Sequence, residues 1–311
     1  MNIQLSIIVP FYNVEQFIAQ CLDRVFNQDV PETEYEVICV NDCSPDNSRE
    51  IVMEYQKKHA NLILIEHERN KKLGGARNTG VKSARGTYVL FLDSDDMMLE
   101  NSIGRLLDEM RDGCEFIHFG SRTWDGVAYK EYTKRGDTPI MSGAELFTGR
   151  IVPWTEQIVA WNKIYRLDFL KAHNLLFVED VMYEDNDYAF RVAAAAQKCR
   201  HIDYAPYLYR VNPYSVTGQT VNAQRLMYWQ KIWPYMLALI PQLEPIDKRF
   251  KPIIKAYLQE DLYDMLRQMK HLSLQDRKEV KQSISIIEWF RIIRLLSIKR
   301  RVEYIYKLLR I

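Results

Sequence analysis

The stretch "YVLFLDSDD" covers residues 88–96 and ends an apolar run in Asp93, Ser94, Asp95 and Asp96. Carboxylates this close repel, raise one another's pKa and give up solvation unless a cation or an array of donors compensates them. Two readings of the cluster stay open. In one it is a solvated strand-to-helix turn, with an Asp as N-cap of a helix near Leu99. In the other it holds a metal. Hard oxygen ligands fixed at a strand end and open to solvent favour Mg2+ or Mn2+, which keep sites for phosphate and water. A second acidic group, Glu184, Asp185 and Asp187 in "YEDNDYAFR", cannot share one helix face. There a solvated acidic turn competes with a carboxylate that accepts a proton in catalysis.

Such groups need a rigid frame. Over the first 120 residues the runs "LSIIV", "EVICV", "LILIE", "YVLFL" and "EFIHF" alternate with amphipathic stretches at 14–28, 47–59, 73–85 and 99–111. The alternation predicts an α/β fold, a parallel sheet with helices on both faces. Ligands of such sheets lie beyond the carboxyl ends of the strands. The polar residues of interest fall there: Pro10, Tyr12 and Asn13 after the first run, Asn41 and Asp42 after the second, and the Asp93 cluster after the fourth. Beyond residue 120 the pattern changes. "RTWDGVAYKEY" carries an Asp125-Gly126 hairpin signal, a mixed region follows, and helices begin near Asn222.

Composition narrows the classes. A hydrophobic content of 47% with 27% charged residues excludes a disordered chain, and no apolar run approaches the length of a spanning helix. Cys21, Cys39, Cys43, Cys114 and Cys199 are odd in number and form no CxxC pair, so they read as reduced thiols of a cytosolic protein. The start "MNIQLSIIVPFYN" lacks a basic n-region, which argues against a secretory signal. The six histidines show no zinc spacing, and "GGARNTG" at 74–80 is neither a Walker loop nor a dinucleotide fingerprint. Phosphates would therefore meet a metal rather than a glycine cradle. A net charge of +1 for the chain hides a net of +5 over residues 284–311, and we expect no nucleic-acid partner.

Taken in order, "SIIVPFYNVEQFIAQCLDRV", "EVICVNDCSPDNS", "GGARNTG", "YVLFLDSDD" and "YEDNDYAFR" resemble an inverting glycosyltransferase of family 2 with the GT-A fold. The resemblance covers roughly residues 3–218. "WNKIYRLDFL" and "LYRVNPYSVT" further resemble members that build bacterial capsule, O-antigen or exopolysaccharide, and the QxxRW motif of processive synthases is absent. The resemblance implies one sugar added at a time from a nucleoside diphosphate sugar, with UDP as the expected nucleotide, to a saccharide or lipid-linked saccharide. It implies a nucleotide-sugar-binding half at 1–120, an acceptor and catalytic-base half at 121–218 and a helical region at 219–311.

By the same resemblance Asp95 is the principal metal ligand, and Asp93 supports the metal or the donor ribose. Asp185 is the base and Glu184 its supporter, while Pro10, Tyr12, Asn13, Asp42, Arg77, Ser94 and Arg210 bind the nucleotide sugar. Asn78 supports the Arg77 loop, and Ser215 joins Arg210 over the diphosphate. Each has a plainer reading: a helix cap for Asp42 or Asp96, a packed ring for Tyr12, a solvated Arg77. Trp154, Trp161, Asn162 and Lys163 are acceptor candidates because Trp faces stack on sugars and clefts need amide donors, though each also reads as packing. The family generally has Gly where this chain has Cys43, which puts the local turn in question.

Two other classes compete. A sugar-nucleotide pyrophosphorylase should carry a basic, glycine-rich loop where this chain has "PFYNVEQF", and an inactive binding subunit should lack Asp95 or Asp185. At the end of the chain, Ile286, Trp289, Phe290, Ile293 and Leu296 recur at helical spacing beside Arg291, Arg294, Lys299, Arg300 and Arg301. This pattern suits either a helix packed on the body or one lying on an anionic membrane at its cytoplasmic face.

Overall fold

The computed structural model describes residues 3–130, 132–212, 222–283 and 286–295. Along the chain come β1 (Leu5–Phe11), α1 (Ile18–Phe26), β2 (Tyr35–Asn41), α2 (Ser48–Lys58), β3 (Leu62–Glu66), α3 (Lys72–Ser83), β4 (Tyr88–Phe91), β5 (Met97–Met98) and α4 (Ile103–Glu109). Then follow β6 (Phe116–Trp124), α5 (Gly143–Thr148), α6 (Trp154–Gln157), β7 (Lys163–Arg166), α7 (Leu167–Ala172), α8 (Glu184–Ala195) and β8 (Cys199–Arg210). The helices α9 (Ala223–Gln230), α10 (Trp233–Leu243), α11 (Phe250–Met269), α12 (Leu274–Gln282) and α13 (Ile286–Leu295) complete the described chain.

The strands form one sheet in the order β3-β2-β1-β4-β7-β6-β8-β5. From β3 to β4 the pairing is parallel, as the sequence predicts. β6 keeps the direction of β4 but is not its neighbour. β7 is inserted antiparallel between β4 and β6, and β8 runs parallel to β6. All five expected strands are present, but β5, β7 and β8 are additions.

The two sheet faces follow from the period of two along each strand. Leu5, Ile7, Val9 and Phe11 of β1 bury one face with Ile18, Cys21, Leu22 and Val25 of α1, whereas Ile8 buries the other with Ala76 and Val81 of α3. Each Val, Leu, Ile or Phe among them contributes about 1.5–3 kcal/mol on burial. α3 reaches the sheet through Gly80, where an added Cβ would lie 2.3 Å from Ile8 Cγ2.

A further core joins α8 to the C-terminal helices. Phe190 and Ala193 of α8 pack with Trp233, Phe250, Ile254 and Leu258, while Tyr188 and Val192 pack toward the sheet. α8 is thus held from both sides. The turn expected at Asp125-Gly126 is present, with Gly126 at φ +100° and Asp125 Oδ1 accepting from the Val127 and Ala128 amides. Its second arm is reduced to a bridge between Trp124 and Tyr129. The helix expected over 99–111 begins only at Ile103, because β5 occupies the chain directly after the acidic turn. None of the five cysteines pairs with another.

Candidate functional site

β1, β2 and β4 are parallel, so their carboxyl ends open on one side of the sheet. Two of the loops there are bonded together: Asp42 N donates to Phe11 O at 3.0 Å and Asn13 N to Ser44 Oγ at 2.8 Å. Pro10 is buried within β1, and Tyr12 stands 50% exposed beyond it, a ring free to meet a ligand. Cys43 takes φ +63°, the left-handed backbone that a glycine would adopt without strain, and its Sγ donates to His67 O at 3.1 Å. The turn therefore survives the loss of glycine.

Asp42 is buried and does not cap α2. Its Oδ1 accepts from His67 Nδ1 and from the Lys71 amide, each at 2.7 Å, and His67 Nε2 lies 2.8 Å from Thr79 Oγ1. Sequence reasoning missed His67. Its signal was its place, directly after β3 on the carboxyl side of the sheet.

At the end of β4 the three carboxylates separate into different environments. Asp96 is buried and accepts from Tyr207 Oη at 2.6 Å and from the Arg210 amide at 2.7 Å, so it ties the turn to β8 instead of capping a helix. Burial, then Asp95 and Asp93, push its carboxyl well above the usual range. Ser94 is buried in the turn. Asp95 is partly exposed and accepts from Asn212 Nδ2 at 3.3 Å; burial and the neighbouring Asp93 raise its carboxyl. Arg210 braces the turn, donating from Nε to Asp95 O and from Nη2 to Gln20 Oε1, both at 2.7 Å. Ser215 lies outside the described residues.

Arg77 corrects both of its sequence readings. It is neither solvated nor presented to a ligand: its side chain is fully buried. Nη2 donates to Asp93 Oδ1 at 2.7 Å, and Nη1 donates to Glu184 Oε1 at 3.0 Å and to Asp185 Oδ1. Burial would weaken its charge, but Asp185, Asp93 and Glu184 outweigh that and hold it protonated. Two aromatic rings, Phe91 and Phe177, flank the guanidinium. One cation thus faces three acids. Burial raises the carboxyls of both Glu184 and Asp185, with Asp185 adding to the shift of Glu184. Asp185 keeps Oδ2 toward the Ala160 amide at 3.3 Å. Asn78 supports this corner, donating to Phe177 O at 2.9 Å. Gly74 permits the approach of α3, since a Cβ there would meet Val178 O at 2.6 Å and Glu184 Cγ at 3.1 Å.

The acceptor candidates divide. Trp161 is partly exposed and stacks on Tyr207 at 4.3 Å, beside the carboxylate turn. Trp154 stands edge-on to Tyr257 at 6.3 Å, packed on the helical region. Asn162 and Lys163 are corrections: both are buried and hold backbone. Asn162 Nδ2 donates to Glu156 O at 2.6 Å and lies 3.0 Å from His118 Nε2. Lys163 Nζ donates to Gln157 O, Val159 O and Asn162 Oδ1 at 2.6–2.8 Å, and burial brings it down to about 7. Neither presents a donor to a sugar.

The donor set suits a hard cation. Among the described residues no three His, Cys, Asp or Glu side chains gather as a complete metal cage. Burial and the neighbouring Asp93 raise the Asp95 carboxyl, and carboxylate oxygens of this kind are the ligand type that Mg2+ and Mn2+ take.

Curated relatives include the uncharacterized glycosyltransferase EpsJ of Bacillus subtilis (strain 168), 34% identical over 68% of this chain and 62% of that protein. The poly(ribitol-phosphate) beta-N-acetylglucosaminyltransferase TarS of Staphylococcus aureus (strain MW2) is 30% identical over 66% of this chain and 35% of that protein. The chain therefore spans less than two thirds of the length of either. Among solved structures, S. aureus TarS 1–349 in complex with UDP-GlcNAc matches with a TM-score of 0.66 at 22% identity, covering 98% of this chain and 82% of that one. The mannosyltransferase PcManGT of Pyrobaculum calidifontis, in complex with GDP-Man and Mn2+, matches at 0.58 with 16% identity, over 99% and 88% of the two chains. These likenesses establish the GT-A fold. The family model for glycosyl transferase family 2 matches residues 6–173, more than half of the sequence, and the chain belongs to that family.

Proposed function

We propose that this chain transfers a single sugar from a UDP-sugar to a saccharide or lipid-linked saccharide, with inversion at the anomeric carbon, in bacterial surface polysaccharide synthesis. One observation carries the reading: buried Arg77 ties Asp93, at the strand end suited to a metal diphosphate, to Glu184 and Asp185 on α8. A leaving-group site and a base are thereby fixed in one frame. The UDP-GlcNAc bound by TarS supports the nucleotide, and the name of TarS gives poly(ribitol-phosphate) as the acceptor of that relative.

Asp95, with Asp93, would hold Mg2+ or Mn2+, which when bound supplies Lewis-acid charge for a departing diphosphate. Tyr12, Asn13 and Asp42 meet the base and ribose, and Arg210 with Ser94 shapes the diphosphate side of the turn. Asp185 takes the proton of the acceptor hydroxyl as its oxygen attacks the anomeric carbon in line with the leaving group. No covalent enzyme intermediate forms, so configuration inverts. Trp161 offers the acceptor an apolar face. Residues 1–120 serve the donor and 121–218 the base and acceptor, and the helices α9 to α12 brace them. The test is a donor screen: purified protein, Mn2+ or Mg2+ and a panel of sugar nucleotides, read as release of nucleoside diphosphate on addition of acceptor. Release from none of them sinks the proposal.

Contact with the cytoplasmic face of a membrane belongs to the same proposal. No helix among the described residues is long and apolar enough to cross a membrane. In α13 Ile292 is buried against the body while Phe290 is 61% exposed, with Arg291 and Arg294 exposed beside it. Of the stripe read from sequence, Phe290 thus stands exposed and Ile293 partly buried. The side chains of Ile286 and Trp289, and all of Leu296, Lys299, Arg300 and Arg301, lie outside the described residues. Each basic residue near an anionic surface contributes about 1 kcal/mol. The intact protein should cosediment with anionic liposomes at low salt, and a chain ending near Gln282 should not, while both bind donor; equal behaviour of the two argues for packing alone.

A further inference from the structure

Two residues flank Glu184 and Asp185, and the helices of the C-terminal region hold both. Tyr183 precedes α8 at φ +62° and ψ +33°, a conformation rare for L-residues, and its side chain makes no capping bond. Surrounding structure must hold such a residue. Its hydroxyl accepts from Arg225 Nη2 at 3.2 Å, and its ring lies 5.1 Å from Trp229, both on α9.

On the other side of the pair, Asn186 is buried and donates from Nδ2 to the hydroxyl of Tyr257 on α11. Tyr257 in turn hydrogen-bonds to Asp261, four residues further along the same helix. Asp261 Oδ2 also accepts from Trp233 Nε1 of α10 at 2.7 Å. The buried stripe of α11 is otherwise Phe250, Ile254, Leu258, Leu262, Met265, Leu266 and Met269. A carboxylate in that company is costly unless donors surround it. The indole N–H can only donate, and the phenol directs its proton to the carboxylate. The phenolic oxygen is then left as an acceptor for Asn186, so the chain has one polarity, from Asn186 through Tyr257 to Asp261.

We propose that Tyr257 and Asp261 are positioning residues for sugar transfer: through Asn186 they fix the first turn of α8, and with it the placement of Asp185 against the acceptor hydroxyl. The inference rests on the assignment of Asp185 as base. Arg77 holds the acidic pair from the side of the sheet, and this relay holds it from the side of the helices.

Tyr257→Phe deletes the hydroxyl and keeps the ring that packs on Trp154. At pH 8, above the value of about 7 to which burial lifts Asp261, kcat should fall about tenfold with donor KM within about twofold. Amide hydrogen exchange over residues 184–188 should rise about fivefold, as for a lost hydrogen bond. Asp261→Asn, nearly isosteric, should repeat both effects and serves if the first variant folds poorly. The double variant should be no worse than the more damaged single one, since one relay carries both. A kcat within about twofold of wild type in both variants, or faster exchange in α11 with α8 unaffected, overturns the proposal. A wild-type protein that transfers no sugar removes the functional reading, and the exchange measurement then still decides whether the relay fixes α8.

Discussion

Asp185→Asn should lower kcat by about a hundredfold to ten-thousandfold, the usual cost of removing a general base, while leaving UDP and metal affinity unchanged. The structure explains why the damage should stay local. Arg77 loses one of three anionic partners but keeps Asp93 at 2.7 Å and Glu184 at 3.0 Å, so the buried guanidinium is still compensated. The like-charge repulsion that raises Glu184 disappears with Asp185, and Glu184 should then ionise more readily. The sign of the pH dependence follows from the same cluster. Asp185 must be ionised to take a proton, and burial holds its carboxyl above the usual range. Transfer should therefore decline as pH falls through that raised value, at a higher pH than a free carboxylate would give. Calorimetry and a pH–rate profile check both parts. Donor affinity lost with the rate little changed would move Asp185 into the donor site.

How much of this was legible beforehand depended on how local each signal was. The strands β1 to β4 and the residues at their carboxyl ends could be read because apolar runs and the residues that stop them are contiguous in sequence. β7 could not: "KIYR" is only four residues long, and its antiparallel place between β4 and β6 depends on partners dozens of residues away. Asp96 looked like a cap because the nearest helix follows it, yet its partners, Tyr207 and the Arg210 amide, lie more than a hundred residues on.

Arg77 is the clearest case. Sequence shows a basic residue near a glycine pair and says nothing of three carboxylates from two other elements closing around it. Asn162 and Lys163 failed for a related reason. Amide and ammonium groups suit sugar recognition, but they suit the satisfaction of buried carbonyls equally well, and only burial distinguishes the two. Asp261 did leave a trace, an acid within the apolar stripe of a long helix, whose meaning appears only when Tyr257 and Asn186 are seen beside it.

Asp95→Asn should abolish most transfer without harming the fold, and the two outcomes have one origin. Asp95 is partly exposed, and its carboxyl is raised by burial and by Asp93, so its negative charge is poorly compensated by the protein alone. Exchanging it for a neutral isostere removes that repulsion, and the Arg210 contact at 2.7 Å is to the backbone oxygen of Asp95, which the substitution keeps. The melting temperature should be equal to or slightly above that of the wild type. The same charge is what a divalent cation would use. Loss of a carboxylate that supports a Lewis acid costs several kcal/mol of transition-state stabilisation, on the order of a hundredfold or more in kcat/KM. Mn2+ titration followed by calorimetry, with and without UDP, should show metal-dependent nucleotide binding in the wild type and its weakening in the variant. Asp96→Asn supplies the contrast: it disturbs bonds to Tyr207 and to the Arg210 amide, so it should lower the melting temperature, an effect absent from Asp95→Asn. Full activity in Asp95→Asn, or a wild-type rate indifferent to chelator and to added metal, would remove the metal from this strand end and leave its carboxylates to the acceptor.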